Sequence, residues 1–357
     1  MKKTKLKIDM LYDFPFFFSD EDYEGRGLGG TESYIVLSSR YLAELGHDVT
    51  IYSPSISDSF LSGYGVLWNS IHSLKKEDNR DMLLVLRTMS DVVKGCSAKK
   101  KAIVTLCRKN QGIKNWVIQN NINKVFSVSE YQRRTLINVD GLSPEIVYPS
   151  SAGVDFNAYT EVNNKIPGKC IYCSVPYRGL DVLIELWPEI KKQIPWATLF
   201  ITSSYILWGK DRQDNDTICK DAYNKINKMR ELGVYNLVCL PKKELIKHQC
   251  QSELMLYPSS YDEMCCVAAL ECAAAGCAIV TSDRAALSER VMHGISGYLI
   301  AGDCNSPEYK NRFIEYTVEL LHNQRLRDSF KVSARNLAES FEYGKIIPDM
   351  LDIILSS

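Results

Sequence analysis

The sequence predicts an α/β protein of two parallel-sheet domains, and three observations carry that prediction. Short apolar runs of strand character alternate with amphipathic helical stretches, which is the pattern of parallel α/β folding. The alternation breaks once, over residues 158–169, where Asn163, Asn164, Pro167 and Gly168 displace apolar residues, and then starts again. A length of 357 residues also exceeds one ordinary domain. The expected layout is a first domain over 1–160, a second over 161–338 and a terminal segment over 339–357.

In chain order, residues 6–12 read as the first strand and 49–52 as the second. A helix begins between them after Gly29-Gly30, with Tyr34, Leu37, Tyr41, Leu42 and Leu45 on one face and Gly46 as its stop. Further strands are predicted at 82–86, 102–106, 124–128 and 145–148. In the second half they fall at 169–173, 198–201, 237–240, 253–257 and 277–280. The polar stretch 210–220 reads as an exposed loop leading into a helix.

Composition narrows the function. Apolar content of 45% with 24% charged residues is that of a soluble protein able to bury sizeable cores. Lys and Arg number 43 and so do Asp and Glu, so no global field draws the chain to nucleic acid, which is disfavoured as a partner. The basic start at Met1–Lys5 runs into a short strand-like stretch containing Asp9, so no secretory segment is expected. No apolar run approaches the length of a membrane span. Twelve cysteines without framework spacing suggest reduced thiols and a cytoplasmic protein. Cys170 and Cys173 lie within a strand and point to opposite faces, and no second cysteine or histidine pair completes a ligand set, so no metal is expected.

Chemistry concentrates at 257–271. Leu254 to Tyr257 reads as a buried parallel strand and Pro258-Ser259-Ser260 as the turn at its carboxyl end, where open α/β sheets bind ligands. Glu263 then sits at the lip of a crevice, with Glu271 two turns further along one helix and on the same face. Ala268, Ala269, Ala273, Ala274, Ala275 and Gly276 imply that this helix packs closely, and a carboxylate on such a helix needs a partner.

These residues, from Pro258 and Glu263 through Glu271, Gly276, Val280, Asp283, Glu289, Gly294, Gly297 and Tyr298, resemble the donor-site signature of family 4 glycosyltransferases. Gly29-Gly30-Thr31-Glu32 with Gly46-His47-Asp48-Val49 is similar to the same family's amino-terminal glycine loop and second strand. Gly153-Val154-Asp155 is similar to its usual end of the first domain. The resemblance spans nearly the whole chain and implies the GT-B architecture, two Rossmann-like domains facing across a cleft, with the terminal helix near 343–355 crossing back onto the first. The activity it implies is metal-independent transfer of a sugar, with retention of anomeric configuration, from a UDP- or GDP-linked nucleotide sugar. Acceptors of such enzymes include glycans and lipid-linked sugars.

The resemblance also implies residue roles. Glu263 would hold sugar hydroxyls and Glu271 the ribose, while the amides of Met264, Cys265 and Cys266, and those of Gly29, Gly30 and Thr31, would face phosphate. Read alone, Gly29-Gly30 is an ordinary tight turn. At the second-domain phosphate site, Ser174 stands where the family has an Arg, leaving Arg178 to carry the leaving-group charge. Lys242 and Lys243 stand where relatives contact the base, and by themselves they read as a solvated pair. Where many relatives place a His near the donor sugar, this chain has Leu106-Cys107-Arg108-Lys109. That departure implies either a different donor, such as a pentose or deoxy sugar, or substitution by Arg108.

The run Phe14 to Phe18 reads as the lining of an acceptor pocket, as a loop in peripheral contact with a membrane surface, or as packing beneath a lid. A catalytically impaired nucleotide-sugar-binding protein is the alternative. A Rossmann oxidoreductase is disfavoured because no G-x-G-x-x-G follows the first strand.

Overall fold

The computed structural model describes residues 5–150, 152–208 and 217–356. It divides into two compact units. The first takes the chain up to Tyr23, Gly30–Gly153 and the segment from Tyr343 onward, and the second takes Glu24–Gly29 with Val154–Glu342.

The first unit is built on eight strands: β1 (Lys7–Leu11), β2 (Asp48–Ser53), β3 (Phe60–Leu61), β4 (Val66–Ser70), β5 (Met82–Arg87), β6 (Lys100–Thr105), β7 (Lys124–Ser127) and β8 (Val147–Pro149). Their order is β3-β4-β2-β1-β5-β6-β7-β8, parallel except where β3 meets β4. Met82 to Leu86 form a continuous apolar run because β5 is covered on both faces. Helices α1 (Asp20–Gly25), α2 (Gly30–Glu44), α3 (Ile113–Gln119) and α4 (Glu130–Asn138) lie between strands. Gly46, at φ +92°, ends α2 in the left-handed conformation that glycine adopts without strain. The expected face of α2 is present, with Tyr41 and Leu45 only half-buried, and the helix buries Ser38, Ser39 and Arg40 as well. Arg40 is neutralised by Asp20, Nε to Oδ1 at 2.9 Å. The final helix, Tyr343–Leu355, stacks Tyr343 on Tyr41 of α2 at 5.8 Å between ring centroids.

The second unit has six parallel strands: β9 (Lys169–Cys173), β10 (Thr198–Thr202), β11 (Val234–Asn236), β12 (Leu254–Tyr257), β13 (Ala278–Ser282) and β14 (Gly297–Ile300). The order is β11-β10-β9-β12-β13-β14. Its helices are α5 (Leu180–Gln193), α6 (Thr217–Lys228), α7 (Lys242–Gln251), α8 (Val267–Ala274), α9 (Pro307–His322) and α10 (Gln324–Glu339). Ser306 and Asn323 cap α9 and α10, each side chain accepting from a backbone amide three residues on. Each sheet reverses its winding once, between β1 and β5 in the first and between β9 and β12 in the second. Those reversals open crevices at the carboxyl ends of the strands.

Several expectations shift. The strand predicted at 237–240 is a loop, and pairing occurs three residues earlier in β11. Val238 has φ +56° and its amide bonds the Asn236 side chain, a turn geometry that overrides four apolar residues. Strands β3, β4 and β14 add to those the sequence predicts. Residues 209–216, most of the predicted polar loop, lie outside the described residues. Cys170 and Cys173 are buried free thiols in β9.

Candidate functional site

Arg178 and Glu263 meet at the crevice of the second sheet. Arg178 follows β9, immediately before Gly179, the N-cap of α5. Gly179 has φ +94°, and a Cβ there would stand 1.9 Å from the Pro258 carbonyl oxygen. Only glycine lets the start of α5 close on the turn after β12, and that closeness brings the two loops together. Arg178 Nη1 donates to Glu263 Oε1 at 2.9 Å, and the Tyr257 hydroxyl donates to the same oxygen at 2.5 Å. Ser174, at the end of β9, bonds the Tyr257 hydroxyl at 3.3 Å. The Arg178 guanidinium also lies 4.4 Å from the Tyr261 ring centre, a cation–π contact. Burial works against the charge on Arg178, but the Glu263 carboxylate more than offsets it and holds the guanidinium above its ordinary value. Burial, and then Glu263, push Tyr257 well above the usual phenol range.

Glu263 does not share a helix with Glu271. Helix α8 starts at Val267, and Cys266 is its N-cap at φ +58°, so Glu263, Met264, Cys265 and Cys266 form the turn before the helix. The amides of Ala269 and Leu270 are turned on the Cys266 carbonyl. Buried Arg290 anchors this turn, Nε donating to the Cys265 carbonyl at 2.8 Å, and the Ala286 amide bonds the Glu263 carbonyl at 3.1 Å. The tight packing expected of α8 is present, since Ala269, Ala273 and Ala274 are buried.

Glu271, in α8, pairs with Lys242 through Oε1 and accepts from Gln249 Nε2 on Oε2 at 3.2 Å. Lys242 opens α7 and is buried, contrary to the solvated pair expected of Lys242 and Lys243; only Lys243 is exposed. The carboxylate of α8 drew the ammonium inward, because a buried carboxylate needs a counter-charge. Gly29 and Gly30 lead into α2, with Gly30 exposed and Thr31 half-buried in its first turn. Nearby in sequence, Gly27 (φ +76°) would place a Cβ 2.4 Å from the Leu240 carbonyl oxygen, so the Glu24–Gly29 segment packs on the loop before α7.

A second constellation, at the crevice of the first sheet, escaped sequence reasoning. Arg87 ends β5 at φ +77°, a conformation that strains a residue with a side chain. Its Nη1 reaches the Tyr12 hydroxyl at 3.1 Å and Glu32 Oε1 at 3.3 Å, and its guanidinium lies 3.7 Å from the Phe14 ring centre. Tyr12 follows β1 and Glu32 lies in the first turn of α2. The available signal was a charged residue closing an apolar run at a switch strand. Of the aromatic run, Phe14 serves this guanidinium, Phe18 is buried against Tyr12 and Trp68, and Phe17 is exposed. Arg108 is exposed beyond β6.

Among the described residues, no group of three or more His, Cys, Asp or Glu is arranged to hold a metal ion, and no helix is long and apolar enough to cross a membrane.

Residues 170–323 match the family described as Glycosyl transferases group 1. No curated protein matches the chain in sequence. Among solved structures, a glycosyltransferase from Rickettsia africae superposes with a TM-score of 0.76 at 15% identity, covering 99% of this chain and 98% of that one. HepE from Anabaena, solved with UDP-glucose, gives 0.72 at 14% identity, covering 98% and 100%. Sucrose-phosphate synthase from Thermosynechococcus elongatus gives 0.71 at 12% identity, covering 98% of each. The chain has the GT-B fold, and its second unit is similar to group 1 glycosyltransferases.

Proposed function

We propose that this chain is a metal-independent glycosyltransferase that moves a sugar from a nucleoside diphosphate to an acceptor hydroxyl with retention of anomeric configuration. The observation that carries the reading is the Arg178–Glu263 pair at 2.9 Å, set at the switch point of the second sheet inside the group 1 match. Sugar transfer builds negative charge on the departing pyrophosphate and positive charge at the anomeric carbon. Arg178 is placed to take the first, as a fixed guanidinium can bridge two phosphate oxygens. Glu263 has one oxygen engaged by Tyr257 and Arg178, which suits it to accept sugar hydroxyls rather than to act as a nucleophile. Glu271 and Lys242 take the ribose and base side. The amides of Gly29, Gly30 and Thr31 at the start of α2, and those of Met264, Cys265 and Cys266, are the proposed donors to phosphate.

HepE was solved with UDP-glucose, and a UDP- or GDP-linked sugar is the donor class proposed for this chain. The absence of a His at 106–109 favours a pentose or deoxy sugar. A glycan or lipid-linked sugar is the proposed acceptor class, with exposed Phe17 as the point of peripheral membrane contact. The described cysteines are free thiols, which fits reaction in the cytoplasm. One observation favours binding without turnover: Ser174 puts a hydroxyl, bonded to Tyr257, where the family resemblance expects a cation. Mass spectrometry of a panel of UDP- and GDP-sugars incubated with the protein separates the readings. Release of nucleoside diphosphate supports the transferase, and tight binding with every donor left intact supports the alternative.

A further inference from the structure

Glu271 is held by a buried side-chain network as well as by Lys242. Gln249, on α7 two turns beyond Lys242 and on the same face, has no solvent exposure and donates Nε2 to Glu271 Oε2 at 3.2 Å. The hydroxyl of Tyr159, itself buried, donates to Gln249 Oε1 at 3.1 Å. The polarity of this chain is set by its end. A carboxylate accepts only, so the Gln249 amide must turn its NH2 toward Glu271 and its oxygen toward Tyr159. The Tyr159 backbone is tied to the same helix as Glu271, because Arg335 donates both to the Tyr159 carbonyl at 3.4 Å and to the carbonyl of Ala274.

We propose that Tyr159 and Gln249 are positioning residues that fix the plane of the Glu271 carboxylate, so that it reads the ribose hydroxyls of the nucleotide and sets a preference for ribo- over 2′-deoxyribonucleotides. The inference rests on the proposed role of Glu271. Lys242 alone cannot set that plane, because an ammonium is a point charge on a flexible stem and lets a carboxylate turn about it. With Lys242 on one oxygen and Gln249 on the other, the carboxylate is locked, and each oxygen keeps a lone pair for a hydroxyl donor. Orientation of this kind is what separates a hydrogen bond made at full strength from one made at poor angles.

The test is calorimetric affinity for UDP against 2′-deoxy-UDP, and for GDP against 2′-deoxy-GDP, in the wild-type chain, Gln249→Leu and Tyr159→Phe, with thermal melts on all three. The wild type is expected to prefer one ribonucleotide over its deoxy form by about tenfold, the worth of one hydrogen bond to a charged group. Gln249→Leu should reduce the preference to within about twofold, and Tyr159→Phe should bring it to roughly threefold. Equal losses for ribo- and deoxynucleotide, or an undiminished preference in both variants, would overturn the positioning role while leaving the nucleotide site in place. A wild-type chain that binds neither nucleotide, or does not discriminate, would overturn the assignment of Glu271 itself and this inference with it.

Discussion

The two sheets end in the same three side chains. At the switch point of the first, the Tyr12 hydroxyl and Arg87 converge on one oxygen of Glu32; at the switch point of the second, the Tyr257 hydroxyl and Arg178 converge on one oxygen of Glu263. Each guanidinium faces an aromatic ring, Phe14 in one case and Tyr261 in the other. The difference lies in the backbone beneath the arginine. In the second unit a glycine follows Arg178 and takes the left-handed conformation, so the helix start closes on the neighbouring turn without strain. In the first unit Arg87 itself is left-handed, and its neighbours must hold it there. The same polar triad thus arises from two local backbone solutions, one with a glycine beside the arginine and one with the arginine itself left-handed.

The largest expected effect comes from removing the glycine. Gly179→Ala places a methyl group on the Pro258 carbonyl and is expected to destabilise the second unit by ~3 kcal/mol or more and to abolish nucleotide binding. A melt and a binding isotherm matching wild type would show that the close approach of α5 is not needed. Next, Arg178→Ala should weaken nucleoside diphosphate affinity by about tenfold to a hundredfold, from the loss of a charge-assisted bond. Arg87→Ala should leave that affinity unchanged. Equal losses by calorimetry would erase the proposed distinction between the two crevices.

The smallest effect tests what the triads share. Burial, then the neighbouring glutamate, raise both Tyr12 and Tyr257 above the ordinary phenol value. The unfolded chain therefore releases these protons first, so their contribution to stability is complete below about pH 10 and is lost as pH rises further, toward the folded values. Each tyrosine should steepen that loss by about 1.4 kcal/mol per pH unit above about pH 10. Urea unfolding of Tyr12→Phe and Tyr257→Phe between about pH 9 and pH 11 should show shallower slopes than wild type, and to the same extent. An unchanged slope in either variant would mean that its tyrosine ionises normally.

Much of the fold was legible because buried parallel strands are written as unbroken apolar runs, as at Met82 to Leu86 and Leu254 to Tyr257. Glycine stops such as Gly46, and the bounds of the final helix, were legible for a similar local reason. The run 237–240 misled because its apolar residues serve a turn, whose geometry depends on Asn236 and a left-handed Val238. Strand β4 hid because its apolar run is only Val66, Leu67 and Trp68 before Asn69 and Ser70. In the site, Glu263, Glu271 and Arg178 stood out by spacing and by resemblance. Helical spacing placed Glu263 on the wrong side of the helix start, since Cys266 turns the chain first. The Lys242–Glu271 pair and the Arg87 triad were not legible. Their members lie 20 to 75 positions apart in sequence, and only the winding of the sheets brings them together.

We propose that Glu263, held by Arg178 and Tyr257, works on a donor sugar. The most direct test measures release of nucleoside diphosphate from the best donor of the UDP- and GDP-sugar panel by wild type and by Glu263→Gln, alongside donor affinity. Turnover is expected to fall by at least about a hundredfold, with affinity for the free nucleoside diphosphate nearly unchanged. Glu263→Gln turning over at the wild-type rate would contradict it.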